Sequence, residues 1–133
     1  MNYLIDTQIL IWFQLNDKRL NTEIMLMLTD PNNVINVSLI SLYEIAIKQK
    51  TGKLPDLPVS VDDILSVAAQ DDFKILPILE NHISGYNLIP LHDTHKDPFD
   101  RLIIAVALIE NLILISADEK FKLYTTQIKL VEV

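Results

Sequence analysis

Four acidic residues, Asp6, Glu44, Asp100 and Asp118, lie far apart in the sequence, yet each falls where an apolar segment ends or a helix is expected to begin. Carboxylates brought close together repel one another; uncompensated, they cost stability or take up protons. The usual compensation is a hard divalent cation, Mg2+ or Mn2+, which prefers oxygen ligands and retains several waters. A cation held in this way can turn water into a hydroxide, orient it, and offset charge growing on a phosphate. Each acid also has a purely structural account. Asp6 could close a strand, Glu44 completes the capping box Ser41-x-x-Glu44, Asp100 suits the positive end of a helix dipole, and Asp118 could cap the helix that follows it. Asp97 fits an N-cap with Pro98 behind it, so its structural role is preferred. What argues for chemistry is the four acids meeting at one place, and that depends on the elements carrying them.

Those elements alternate. Residues 2–5 (NYLI) read as a short strand, followed by a helix over QILIWFQL with Thr7 near its N-cap. Residues 33–37 (NVINV) form a second strand, and the capping box at Ser41 opens a helix running to about Lys50 and stopping near Gly52. Ser60 opens a further helix over ILSVAAQ; residues 74–78 are strand and 80–88 a short helix. Residues 98–110 are apolar nearly all round, as in a helix packed on several sides. LILIS (112–116) has no polar alternation, the mark of a strand buried on both faces, and after Asp118 come a short helix (EKFKLY) and a terminal strand at 128–133. Strands alternating with helices imply an α/β fold, a central parallel sheet with helices on both faces. In such a sheet the C-terminal strand ends and the following helix N-termini share one edge, where ligands bind. All four acids are predicted there.

Composition sets the outer limits. The 133 residues, half of them hydrophobic and only two of them glycine, suit one compact domain spanning 1–133. The longest apolar run, Leu102 to Ile109, is far too short to cross a bilayer, and the first residues lack a basic segment and cleavage site, so no membrane association and no secretion signal are expected. The absence of cysteine excludes disulfides, thiolate zinc sites and a cysteine nucleophile, and fits a reducing cytoplasm. A net charge of −7 argues against a broad basic surface for nucleic acid, although a metal-binding acidic cluster would itself supply part of that charge.

Other residues receive secondary roles. Thr7 and Ser116 could hydrogen-bond a carboxylate or a metal-bound water, or cap helices. Arg101 could grip a phosphate, but pairing with Asp97 or Asp100 is favoured. His92 and His95 are read as loop residues and not as metal ligands, Lys48, Lys50 and Lys53 as a solvated helix end, and Trp12 and Phe13 as core or interface.

Taken in order and spacing, YLIDTQILIWF, VSLISLYEIAIKQKTGKL, HKDPFDRLIIAVA and LISADEKF resemble the PIN-domain ribonucleases, specifically the VapC-type toxins of bacterial toxin–antitoxin systems. The resemblance spans essentially the whole chain. It implies an α/β/α sandwich and an acidic pocket for Mg2+ or Mn2+, with Asp6, Glu44, Asp100 and Asp118 as the four acids. Thr7 and Ser116 take the hydroxyl positions beside the pocket, and Asp97 belongs to the subgroup motif. It further implies endonucleolytic hydrolysis of RNA by a metal-activated water, inhibition by a cognate antitoxin, and a homodimer. Gln8, Tyr43 and Ser116 stand where histidine, tryptophan and threonine are common, which leaves every acid in place. Two rivals can be weighed from residues. A haloacid-dehalogenase-like phosphatase needs D-x-D after the first strand, and position 8 is Gln; a PIN-like binding module that does not cleave differs only in turnover.

Overall fold

The computed structural model describes residues 1–133. In chain order the elements are β1 (Asn2–Ile5), α1 (Thr7–Gln14), α2 (Thr22–Thr29), β2 (Val34–Ser38), α3 (Leu39–Lys50), α4 (Val61–Gln70), β3 (Lys74–Leu76), α5 (Glu80–Gly85), α6 (Pro98–Glu110), β4 (Ile113–Ser116) and β5 (Lys129–Glu132). Short 3-10 helices cover Tyr86–Leu88 and Glu119–Tyr124. The five strands form one sheet in the order β3-β2-β1-β4-β5, and every pairing is parallel. The expected parallel sheet flanked by helices is therefore present. No helix is long and apolar enough to cross a membrane.

Side chains on a strand alternate between faces, and β1 uses both. Tyr3 and Ile5 enter a core with Ile9, Leu10, Ile45 and Ile64, while Leu4 enters a second core with Ile103, Val106, Leu114 and Tyr124. In β4, Leu114 and Ile115 divide in the same way. This is why the sequences of β1 and β4 lack polar alternation: the strands are central and covered on both sides. Position α6 lies wholly on the second core, with Ile103, Ile104, Ala105, Val106 and Ala107 at 1% exposure or less.

Strand order also fixes where a crevice must open. From β1 the chain moves to β2 and β3 on one side, then returns to β4 on the other side of β1. The connections leaving β1 and β4 thus diverge, and the gap between them at the C-terminal edge is the switch point at which α/β sheets bind ligands.

Three local expectations are corrected. Asp6, not Thr7, caps α1, accepting from Ile9 N at 2.9 Å. Ser38 caps α3 through Ile40 N, so the helix starts three residues before the Ser41 capping box and Glu44 lies in its second turn. Helix α2, capped by Asn21 through Ile24 N, occupies a stretch where no element was expected.

Candidate active site

A cavity of about 420 Å³ opens at the switch point, lined by Asp6, Glu44, Asp97, Asp100 and Asp118 together with Thr7, Gln8, Trp12, Arg19, Lys48 and Ala117. Five carboxylates face two cations.

Asp6 is delivered by β1. Its backbone N–H extends the β1–β4 ladder by donating to Ile115 O (3.2 Å), and its side chain caps α1. Oδ1 is held by Ile9 N and Oδ2 by the hydroxyl of Ser116, the last residue of β4. The Ser116 oxygen in turn accepts from Asp118 N at 3.0 Å, so one hydroxyl couples two acids from neighbouring strand ends. Asp6 is 5% exposed, and burial raises its pKa from 3.8 to about 7 against the lowering effect of Ser116 and Ile9 N; Asp100 and Asp118 add repulsion. The chain thus holds a carboxylate where its charge is costly.

Asp100 arrives from α6. Asp97 starts that helix by accepting from Phe99 N (2.9 Å) and Asp100 N (3.2 Å), with Pro98 in the first turn where its missing N–H costs nothing. Asp100 sits in the first turn with Oδ2 at 3.0 Å from His95 Nε2. Its pKa is raised to about 6, chiefly by burial, with His95 opposing and Asp97 and Glu44 adding to the rise. Asp97 both caps α6 and lines the cavity.

Glu44 projects from α3. The Thr7 hydroxyl donates to its Oε1 (2.8 Å) and lies 3.0 Å from Ser41 Oγ; Lys48, one turn on, reaches Oε2 at 3.1 Å. Lys48 is therefore part of the cavity wall and not only a solvated helix end. Asp118 is the most exposed of the four, its Oδ1 capping the 3-10 helix through Lys120 N (2.9 Å). Trp12 lines the cavity, with the Arg19 guanidinium 4.6 Å above its ring and tied to Asp17.

Two residues depart from expectation. Arg101 pairs with neither Asp97 nor Asp100 and does not line the cavity. It is 3% exposed, giving Nη1 to Pro90 O (2.7 Å), Nη2 to Ile89 O (2.9 Å) and Nε to the Tyr86 hydroxyl (3.1 Å). His95, read from sequence as an ordinary loop residue, is 2% exposed and touches Asp100. Ligand atoms of His95, Asp100 and Asp118 lie within 4.8 Å of one another. Nothing in its spacing marks His95, because the segment before α6 has no helical or strand period.

The donor set fits a hard divalent cation. It consists of carboxylate oxygens from separate elements around one cavity, partly buried and, at Asp6 and Asp118, without a lysine or arginine partner.

A model of the PIN domain family matches residues 3–126. The chain belongs to the PIN domain family. No curated protein matches it. Among solved structures, this PIN domain is similar to a chain of VapBC2 from Rickettsia felis bound to a promoter DNA fragment, with TM-score 0.72, 22% identity, and 99% and 98% of the two chains covered. It is also similar to a chain of VapBC-5, of the VapBC toxin–antitoxin family, from Mycobacterium tuberculosis (TM-score 0.70, 17% identity, 99% and 98% covered). A toxin–antitoxin complex from Klebsiella pneumoniae gives TM-score 0.61 at 24% identity, with 98% and 99% covered. At these identities the likeness establishes a shared PIN fold over nearly the whole length of each chain.

Proposed function

We propose that this PIN domain is a divalent-metal-dependent endoribonuclease acting as the toxin of a toxin–antitoxin pair. The observation that carries the reading is the meeting of Asp6, Glu44, Asp100 and Asp118 in one cavity at the sheet's switch point. The membership in the PIN family and the fold shared with chains of VapBC complexes support it.

Asp6 and Asp100 are assigned as direct metal ligands, with Glu44 and Asp118 holding water at the site or a second ion. When bound, Mg2+ or Mn2+ supplies Lewis acidity toward water and toward phosphate oxygens. The chain contributes the rest. Ser116 and Ile9 N fix both oxygens of Asp6, Thr7 orients Glu44, and the β1–β4 ladder keeps Asp6 and Asp118 at adjacent strand ends. Glu44, or the more exposed Asp118, serves to accept the proton of the attacking water. Water as nucleophile makes no use of the ribose 2′-hydroxyl, so products carry 5′-phosphate and 3′-hydroxyl ends.

An excess of carboxylates favours an inhibitory partner segment carrying cations, as an antitoxin tail could. A homodimer is supported by Leu79 just before α5, Ile83 on it and Leu88 in the 3-10 helix after it, which are 46–62% exposed. The test is expression with and without the gene product encoded immediately upstream, with cellular RNA ends mapped and Asp6→Asn as control. Growth arrest and new 5′-phosphate ends are expected from the chain alone, and neither from Asp6→Asn nor in the presence of the partner. Cleavage that persists in excess EDTA refutes the metal-dependent reading.

A further inference from the structure

His95 lies at the centre of a buried polar chain that the cavity acids alone do not require. Its Nε2 is 3.0 Å from Asp100 Oδ2 and its Nδ1 is 2.7 Å from the Tyr124 hydroxyl, which lies 3.4 Å from Arg101 Nη1. His95, Arg101 and Tyr124 are 2%, 3% and 0% exposed. Phe121 and Tyr124 meet the imidazole edge-on at 5.8 and 5.4 Å, which fixes the ring plane. Arg101 is itself anchored on the carbonyls of Ile89 and Pro90.

The direction of donation follows from the chemistry of the ends. A guanidinium carries donors and no acceptor. The Tyr124 oxygen therefore accepts from Arg101, and its own proton has one acceptor within reach, His95 Nδ1. An imidazole that accepts at Nδ1 carries its hydrogen on Nε2, and that hydrogen points at the Asp100 carboxylate. Neither nitrogen then keeps a free lone pair for a cation, although the ring stands close to Asp100 and Asp118. We propose that His95 is a positioning residue. Its Nε2–H orients the Asp100 carboxylate toward the cavity, and the Tyr124–Arg101 chain holds the imidazole in the tautomer able to do so. Outer hydrogen-bond partners of this kind are worth roughly 10- to 100-fold in metal affinity.

The inference rests on the reading of Asp100 as a metal ligand, and the experiment separates the two. Mn2+ binding to the full chain is measured without RNA, by the electron paramagnetic resonance signal of free Mn2+, for wild type, Asp100→Asn, His95→Ala, His95→Gln and Tyr124→Phe. Cleavage kinetics are followed in parallel. His95→Ala is expected to weaken Mn2+ binding roughly 10- to 100-fold. His95→Gln, whose amide N–H can reach the place of Nε2, should recover most of that loss. Tyr124→Phe, which keeps the packed ring and frees the tautomer, should weaken binding to a smaller extent and lower kcat with KM for RNA unchanged. Wild-type affinity in His95→Ala or in Tyr124→Phe overturns the proposal, and Tyr124→Phe alone decides the matter if His95→Ala does not fold. A His95→Gln variant as impaired as His95→Ala also overturns it, because that is the behaviour of a direct ligand. No Mn2+ binding by wild type, or full binding by Asp100→Asn, overturns the reading of the site itself.

Discussion

Replacing Asp6 by asparagine is predicted to abolish activity and at the same time stabilise the metal-free protein. Burial raises the Asp6 pKa from 3.8 to about 7 in the folded chain, while the unfolded chain keeps the ordinary value. A group whose folded pKa is raised contributes stability below its unfolded pKa and loses it as pH rises through the folded one, here between about pH 4 and pH 7. The full difference corresponds to about 4 kcal/mol at pH 8. The Asp6→Asn amide carries no charge, caps a helix as well as aspartate does, and can still exchange hydrogen bonds with Ile9 N and Ser116. The variant should therefore escape most of that cost. For a chain of this length the gain corresponds to a rise in Tm on the order of 10 °C at pH 8, shrinking to near zero at pH 4. The assay is thermal unfolding in EDTA across pH 4–8, repeated in saturating Mg2+. Added metal should raise the wild-type Tm and leave that of Asp6→Asn almost unchanged. An Asp6→Asn protein no more stable than wild type at pH 8, or a gain of equal size at pH 4, refutes the reasoning.

Removal of the Arg101 side chain by Arg101→Met should cost about 3 kcal/mol or more in urea unfolding, since the carbonyls of Ile89 and Pro90 lose their donors inside the protein. Arg101→Lys should recover only part of this, because one ammonium cannot reproduce the guanidinium fork; full recovery would show that charge alone matters. Lys48→Ala removes a partly exposed ion pair with Glu44, so stability should change by under about 1 kcal/mol. The freed carboxylate should tighten Mn2+ binding several-fold, measured by titration, and weaker binding would contradict the assigned geometry. A Cβ at Gly85 would lie 2.7 Å from Ile109 Cγ1, so Gly85→Ala should force that side chain to move and cost about 1 kcal/mol by the same unfolding assay; a more stable variant would refute the clash.

Much of the scaffold was legible because it follows from local pattern. The unbroken apolar runs of β1 and β4 mark central strands, and Asp97-Pro98 marks the start of α6. The gathering of four distant acids at one edge followed from a parallel sheet. Sequence pattern and structure part where two residues offer the same local chemistry. Ser38 and Ser41 both suit a helix start, and the tertiary fold chose Ser38 because β2 runs directly into α3, while Ser41 is buried beside Thr7. Arg101 has two acids close in sequence, but the segment before α6 folds back to offer it carbonyls, and a buried arginine takes the partners that surround it. His95 was invisible for a related reason: its partners Asp100 and Tyr124 meet only after the second core has formed.

The distribution of compensating groups sharpens the case for a cation. Hydroxyls donate to two of the acids, Thr7 to Glu44 and Ser116 to Asp6, and each satisfies a carboxylate oxygen without adding charge. The ion pair from Lys48 goes to Glu44, whereas Asp6, Asp97 and Asp118 have no lysine or arginine partner, and Asp100 has only His95. A protein needing these acids merely for capping could have used asparagine or serine, which cap comparably without mutual repulsion. Keeping a carboxylate at Asp6, where burial makes its charge most expensive, is instead what a site requires if the missing positive charge is to come from solution.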